Sequence, residues 1–197
     1  FPKSGFDAFM SQVPERVLVI LDEAYFEYAF HLSDYPDSMH YRYDNVITLR
    51  TFSKAHGLAG FRVGYGFAHE DLIENLNKVK LPFEPSWPGQ IAALAALDDS
   101  EFIRQTVINC HTEMKKMEQA FQEFKIKTIP SAANFITLVF PSEKEAHSFN
   151  NEMLYKGIIL RHLPGWGLPN CVRVTVGTKE ENSYLMESII SNKVTNA

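Results

Sequence analysis

Residues 17–21 read Val-Leu-Val-Ile-Leu, and the chain passes from this aliphatic run straight into Asp22-Glu23-Ala24-Tyr25. A β-branched run without polar alternation is the pattern of a strand covered on both faces in a parallel sheet. It is far too short to span a bilayer. The carboxylates at its end fall where open α/β sheets present ligands, beyond the carboxyl ends of the strands. Residues 45–49 and 62–67 read as further strands, and residues 71–79 as a helix opened by Asp71. Pro82, Pro85 and Pro88 then forbid regular structure as far as Gln90, so a domain junction is expected at 88/89.

Beyond the junction, Ile103, Val107, Cys110, Met114, Met117, Phe121 and Phe124 recur in steps of four and three. That stripe predicts one helix over 100–124 packed on its own domain. Strands at 133–140, 157–163 and 171–176 and helices at 142–155 and 180–190 complete a compact α+β unit, and residues 192–197 read as a polar tail. Hydrophobic residues make up 45% of the chain, enough for a core. The net charge of -5 is spread without runs of one sign, which argues against a nucleic-acid or anionic-membrane partner. Cys110 and Cys171 form no CxxC and no His pair has zinc spacing, so neither a disulfide scaffold nor a metal site is expected. A reducing, cytoplasmic compartment fits this cysteine usage and the absence of a secretion-signal pattern at the start.

The segment "TFSKAHGLAGFR", residues 51–62, gathers Thr51, Ser53, Lys54 and Arg62 around two glycines. A lysine becomes nucleophilic when burial or neighbouring positive charge lowers its pKa. Hydroxyls, backbone amides and an arginine fork together make a phosphate site. Gly57 and Gly60 are expected to let the backbone approach a ligand closely. A lysine beside a bound phosphate suggests a phosphorylated aldehyde cofactor, pyridoxal 5'-phosphate, which forms a Schiff base with a lysine and needs an acidic partner at its ring nitrogen. Asp22, at the end of a strand, suits that partner, and Tyr25 suits a hydrogen bond to the phenolic oxygen.

At these residues the chain resembles the aspartate aminotransferase superfamily of fold-type I pyridoxal-phosphate enzymes, most closely the histidinol-phosphate aminotransferases. "VLVILDEAYFEYA", "TFSKAHGLAGFRVGY", "SAANFITLVF" and "GIILRHLPGWGLPNCVRVTVGTKEEN" carry the resemblance in order along nearly the whole chain. It implies an α/β fold: residues 1–88 as the C-terminal part of a mostly parallel large domain that binds the cofactor, and 89–197 as interdomain helices and a small α+β domain. It implies Lys54 as Schiff-base lysine and proton carrier, Asp22 and Tyr25 on the cofactor ring, and Thr51, Ser53 and Arg62 around its phosphate. Arg173 matches the arginine for the substrate α-carboxylate, and Arg161 one that faces the distal end of the substrate, where a second phosphate is bound. The implied reaction is ping-pong transamination of an amino donor with a 2-oxo acid, histidinol phosphate with 2-oxoglutarate, in a homodimer. An aromatic aminotransferase and a non-catalytic dimerising fragment are the alternatives. The family's Gly-rich cofactor loop and ring-contacting Asn precede the point where this sequence starts, so the resemblance implies a C-terminal portion with an incomplete cofactor pocket. "PFEPSW", residues 82–87, replaces a more polar family segment, and Trp87 is expected to fill the domain junction.

Overall fold

The computed structural model describes residues 2–41 and 43–195, the last four as helix backbone only. The chain divides into two compact units, Phe1–Thr106 and Val107–Ala197.

The first unit runs α1 (Lys3–Met10), β1 (Val19–Asp22), α2 (Phe26–Ala29), β2 (Val46–Thr51), β3 (Gly64–Ala68), α3 (Glu70–Val79) and α4 (Trp87–Asp98), followed by the start of α5 (Ser100–Glu123). The strands form one sheet in the order β1-β2-β3, with β1 parallel and β3 antiparallel to β2. Phe6 and Met10 of α1, four residues apart and so on one helix face, are buried with Leu21 and Val46 in a core that Tyr41 and Tyr43 border. Within these residues one face of β1 is covered: Leu21 is buried and Ile20 is 62% exposed. Helix α4 opens at Trp87 and not at Gln90, because Ser86 caps it, its Oγ accepting the Gly89 N–H at 3.3 Å, and Pro88 is tolerated in a first turn whose N–H groups lack helix partners. Trp87 is exposed in this structure. His69, not Asp71, occupies the cap of α3.

The second unit continues α5 and adds β4 (Lys127–Ile129), β5 (Phe135–Val139), α6 (Glu143–Tyr155), β6 (Arg161–Leu163), β7 (Leu168–Thr175) and α7 (Lys179–Thr195). Its sheet is antiparallel throughout, in the order β4-β5-β7-β6. The expected stripe is the buried face of α5: Val107, Cys110, Met114, Met117 and Phe121. The strand expected over 157–163 shrinks to β6 because the preceding residues cap α6. Gly157 adopts φ 79, its N–H donates to Leu154 O and the Ile158 N–H to Met153 O, both at 2.9 Å, a Schellman closure. The polar tail is helical backbone as far as Thr195, and Asn196 and Ala197 lie outside the described residues.

Phe121 is fully buried. Phe121→Ala is expected to lower the unfolding free energy by about 3–5 kcal/mol through lost burial and the cavity left behind, read from the urea midpoint at unchanged slope.

Candidate active site

The carboxyl ends of β1 and β2 lie side by side. Asp22 stands opposite Leu49, and the Glu23 N–H extends the ladder to Leu49 O at 2.9 Å. Alternation along the strands sends Asp22, Leu49 and Thr51 to one face and Leu21, Glu23, Thr48 and Arg50 to the other. Asp22 is exposed, and its Oδ1 accepts the Ala24 N–H at 2.9 Å, which turns the chain into Tyr25 at the cap of α2.

Beyond Thr51 the loop is closed on itself. The Phe52 N–H donates to Val63 O at 3.2 Å, the Leu58 N–H to Phe52 O at 2.9 Å and the Gly57 N–H to Lys54 O at 3.0 Å. Gly57 holds φ 71, which a side chain would resist, whereas Gly60 has open space beside it and no such constraint. Phe52 and Ala55 are buried, Phe52 against Val63 and Ala93, so Ser53 and Lys54 are presented half-buried from an anchored backbone. Lys54 Nζ lies 5.2 Å from the centroid of the Tyr25 ring, within cation–π range. Ser53 donates its N–H to Thr51 Oγ1 at 3.1 Å and its Oγ accepts from Arg62 Nη1 at 3.4 Å. Arg62 is not the first residue of β3. It sits in the left-handed region, φ 55 and ψ 48, after a single 3-10 turn, and that turn carries its guanidinium back to Ser53 and to Ala59 O at 2.9 Å. The structure thus joins Tyr25 with Lys54, and Thr51 with Ser53 and Arg62, at the strand ends where Asp22 also lies.

Two charged contacts behind these residues were not anticipated. Glu23, 3% exposed, accepts from Arg50 Nε at 2.9 Å and from the Ser38 N–H at 3.2 Å, while Arg50 Nη2 reaches Asp37 Oδ1 at 2.9 Å. The Arg50 guanidinium lies 3.5 Å from the Phe26 ring centroid. Burial opposes its charge, but the bonds and charge of Glu23 outweigh that and raise its pKa. Burial, with the Glu23 carboxylate second, pushes the nearby Tyr35 phenol up to about 12. His56, the second contact, has its Nε2 3.5 Å from Glu27 Oε1 and its ring 4.8 Å from Phe52. The signal for both was the acidic content of "DEAYFE" beside the basic content of "RTFSKAH", whose pairing requires the parallel register.

In the second unit, Arg161 of β6 and Arg173 of β7 stand directly opposite each other, with Thr137 of β5 next in the row. Cross-strand partners share a face, so both arginines project from the same side of the sheet. Arg173 lies 5.1 Å from the Phe135 ring centroid, and among the described residues no carboxylate comes within 4.0 Å of either arginine. Among the described residues no helix is long and apolar enough to cross a membrane, and no group of three or more His, Cys, Asp or Glu is placed to hold a metal ion.

Comparison with known proteins identifies the family and the fold. The family described as aminotransferase class I and II matches residues 2–189. Histidinol-phosphate aminotransferase 2 of Carboxydothermus hydrogenoformans is 42% identical over 189 residues, 95% of this chain and 52% of that protein. The histidinol-phosphate aminotransferase of Akkermansia muciniphila is 44% identical over 92% of this chain and 49% of its own length. The crystal structure of histidinol-phosphate aminotransferase from Sinorhizobium meliloti in complex with pyridoxal-5'-phosphate superposes with TM-score 0.86 at 29% identity, covering 97% of this chain and 54% of that one. The fold is therefore that of about half of a fold-type I pyridoxal-phosphate enzyme, and the chain spans about half the length of the curated relatives it matches. With its family's pattern matched from the second residue to the last helix, the chain belongs to the class I and II aminotransferases.

Proposed function

We propose that the protein carrying this chain is a pyridoxal-phosphate-dependent aminotransferase that exchanges the amino group of histidinol phosphate with 2-oxoglutarate, as a cytoplasmic homodimer. In this reading residues 1–88 complete the large domain and 89–197 form the interdomain helices and small domain. The observation that carries it is the meeting of Lys54 with Tyr25, and of Ser53 with Arg62, at the carboxyl ends of a parallel strand pair that also ends in Asp22.

These residues fit the cofactor chemically. Ser53, Thr51 and Arg62 supply two hydroxyls and a fork for phosphoryl oxygens, Asp22 an exposed carboxylate for a ring N–H, and Tyr25 a phenol for the ring oxygen. When bound, pyridoxal phosphate supplies an aldehyde that condenses with amines and a ring that draws electrons from the substrate Cα. Lys54 would then be the group that takes the proton from the substrate Cα and gives it back, as base and then acid. Asp22 would hold the ring nitrogen in its protonated form, and Tyr25 would donate to the ring oxygen.

Arg173 and Arg161 account for the substrates. Both half-reactions use one site, yet 2-oxoglutarate brings carboxylates and histidinol phosphate a phosphate. Two opposed guanidiniums without a protein carboxylate accept either anion. In the polypeptide as its gene encodes it, Arg161→Met is expected to raise KM for histidinol phosphate about tenfold or more and change kcat little, as loss of one charge-assisted bond implies. Steady-state kinetics with histidinol phosphate and with an aromatic amino acid as donors test the reading. A kcat/KM higher for the aromatic donor would replace it with an aromatic aminotransferase.

A further inference from the structure

Asp22, Tyr25, Thr51 and Lys54 come from two turns that are neighbours only because β1 and β2 pair, and the ladder between them ends at Glu23 and Leu49. What fixes their spacing beyond the last backbone bond is on the opposite face of the sheet. There Glu23, the residue after Asp22, is bonded to Arg50, the residue before Thr51. The contact is forked: Arg50 Nε and Nη2 approach Glu23 Oε2 at 2.9 and 2.8 Å, and Nη2 also meets Asp37 Oδ1 at 2.9 Å. The remaining Glu23 oxygen accepts the Ser38 N–H, and Phe26, next in chain to Tyr25, lies flat against the guanidinium. Arg50 is thus held by two carboxylates and lies against one ring.

A buried ion pair such as Glu23 and Arg50 is a poor means of gaining stability, since desolvation cancels most of its attraction and apolar residues of the same size often serve as well. Its particular property is geometry, because a planar fork holds one distance and one orientation. We propose that Glu23, Arg50 and Asp37 form a positioning clamp that sets the distance between the Asp22–Tyr25 turn and the Thr51–Lys54 loop. The clamp touches neither substrate nor cofactor and acts through the residues beside it. The inference rests on the cofactor site proposed above.

The test uses Arg50→Lys and Glu23→Gln in the gene-encoded polypeptide, which remove the fork and the charge respectively. Three quantities are read: thermal midpoint without cofactor, cofactor Kd from the visible absorption titration, and amide exchange over residues 22–28 and 50–58. The clamp predicts a thermal midpoint changed by only a few degrees, a Kd raised about tenfold or more, and faster exchange in both segments together. The double variant should be no worse than the worse single one, because both break the same contact. A lowered midpoint with unchanged Kd and unchanged exchange in the two segments would show a pair that only stabilises the fold, and would overturn the proposal. If Arg50→Lys fails to fold, Asp37→Asn decides: Asp37, with 36% of its side chain exposed, holds Arg50 from the rim, and an unchanged Kd there overturns the clamp. Wild-type protein that takes up no cofactor would refute the proposed function, and the exchange data would then decide the clamp alone.

Discussion

Lys54→Ala is expected to lower the transamination rate by at least about 10²–10⁴-fold, the range for loss of a positioned general acid–base group, with the covalent attachment of the cofactor lost in addition. The fold should survive. Lys54 is half-buried, the loop that carries it is anchored by Phe52 and Ala55, and its Nζ lies 5.2 Å from the centroid of the Tyr25 ring. The thermal midpoint without cofactor should therefore stay within a few degrees of wild type. A small primary amine added to the assay should restore part of the rate, since it replaces the missing base at the substrate Cα. A variant that retains activity within tenfold of wild type, or that loses it only by unfolding, contradicts the role given to Lys54.

The second large effect is expected at Arg173. A bidentate pair with the carboxylate of the oxo acid or the phosphate of the amino donor comprises two charge-assisted hydrogen bonds of about 1.5–3 kcal/mol each, so Arg173→Met should reduce kcat/KM by about 10²–10⁴-fold for both substrates. Loss of a structural ion pair would destabilise the protein, but Arg173 has none among the described residues and faces Arg161 across the strand pair. Removing one of two opposed like charges should leave the thermal midpoint unchanged or higher. Arg173→Lys is expected to recover only a small part of the loss, because an ammonium offers no fork. Kinetics and a melting curve on the same preparations check both halves, and an unchanged kcat/KM would remove Arg173 from the site.

The features legible in sequence were those fixed by local pattern. The α5 stripe from Val107 to Phe121 follows from helical spacing alone, and the aliphatic run before Asp22 located a strand to within two residues. The Lys54 loop was legible because its glycine, hydroxyl and basic residues fall within the twelve residues 51–62. Features that depend on register were not. Glu23 and Arg50 are 27 residues apart, and only the parallel pairing of β1 with β2 makes them partners. The opposition of Arg161 and Arg173 likewise comes from the β6·β7 register. Arg62 reaches Ser53 through a left-handed backbone that an arginine seldom adopts, so strand propensity placed it in β3 instead. Helix α1 was missed because eight residues with only Phe6 and Met10 buried give a weak periodic signal.

The most direct test is chemical. The gene-encoded polypeptide is saturated with pyridoxal phosphate, reduced with borohydride, digested and mapped by mass spectrometry. A single stoichiometric addition on the peptide containing Lys54 is predicted. Addition spread over exposed lysines, or none at all, would contradict the assignment of this site.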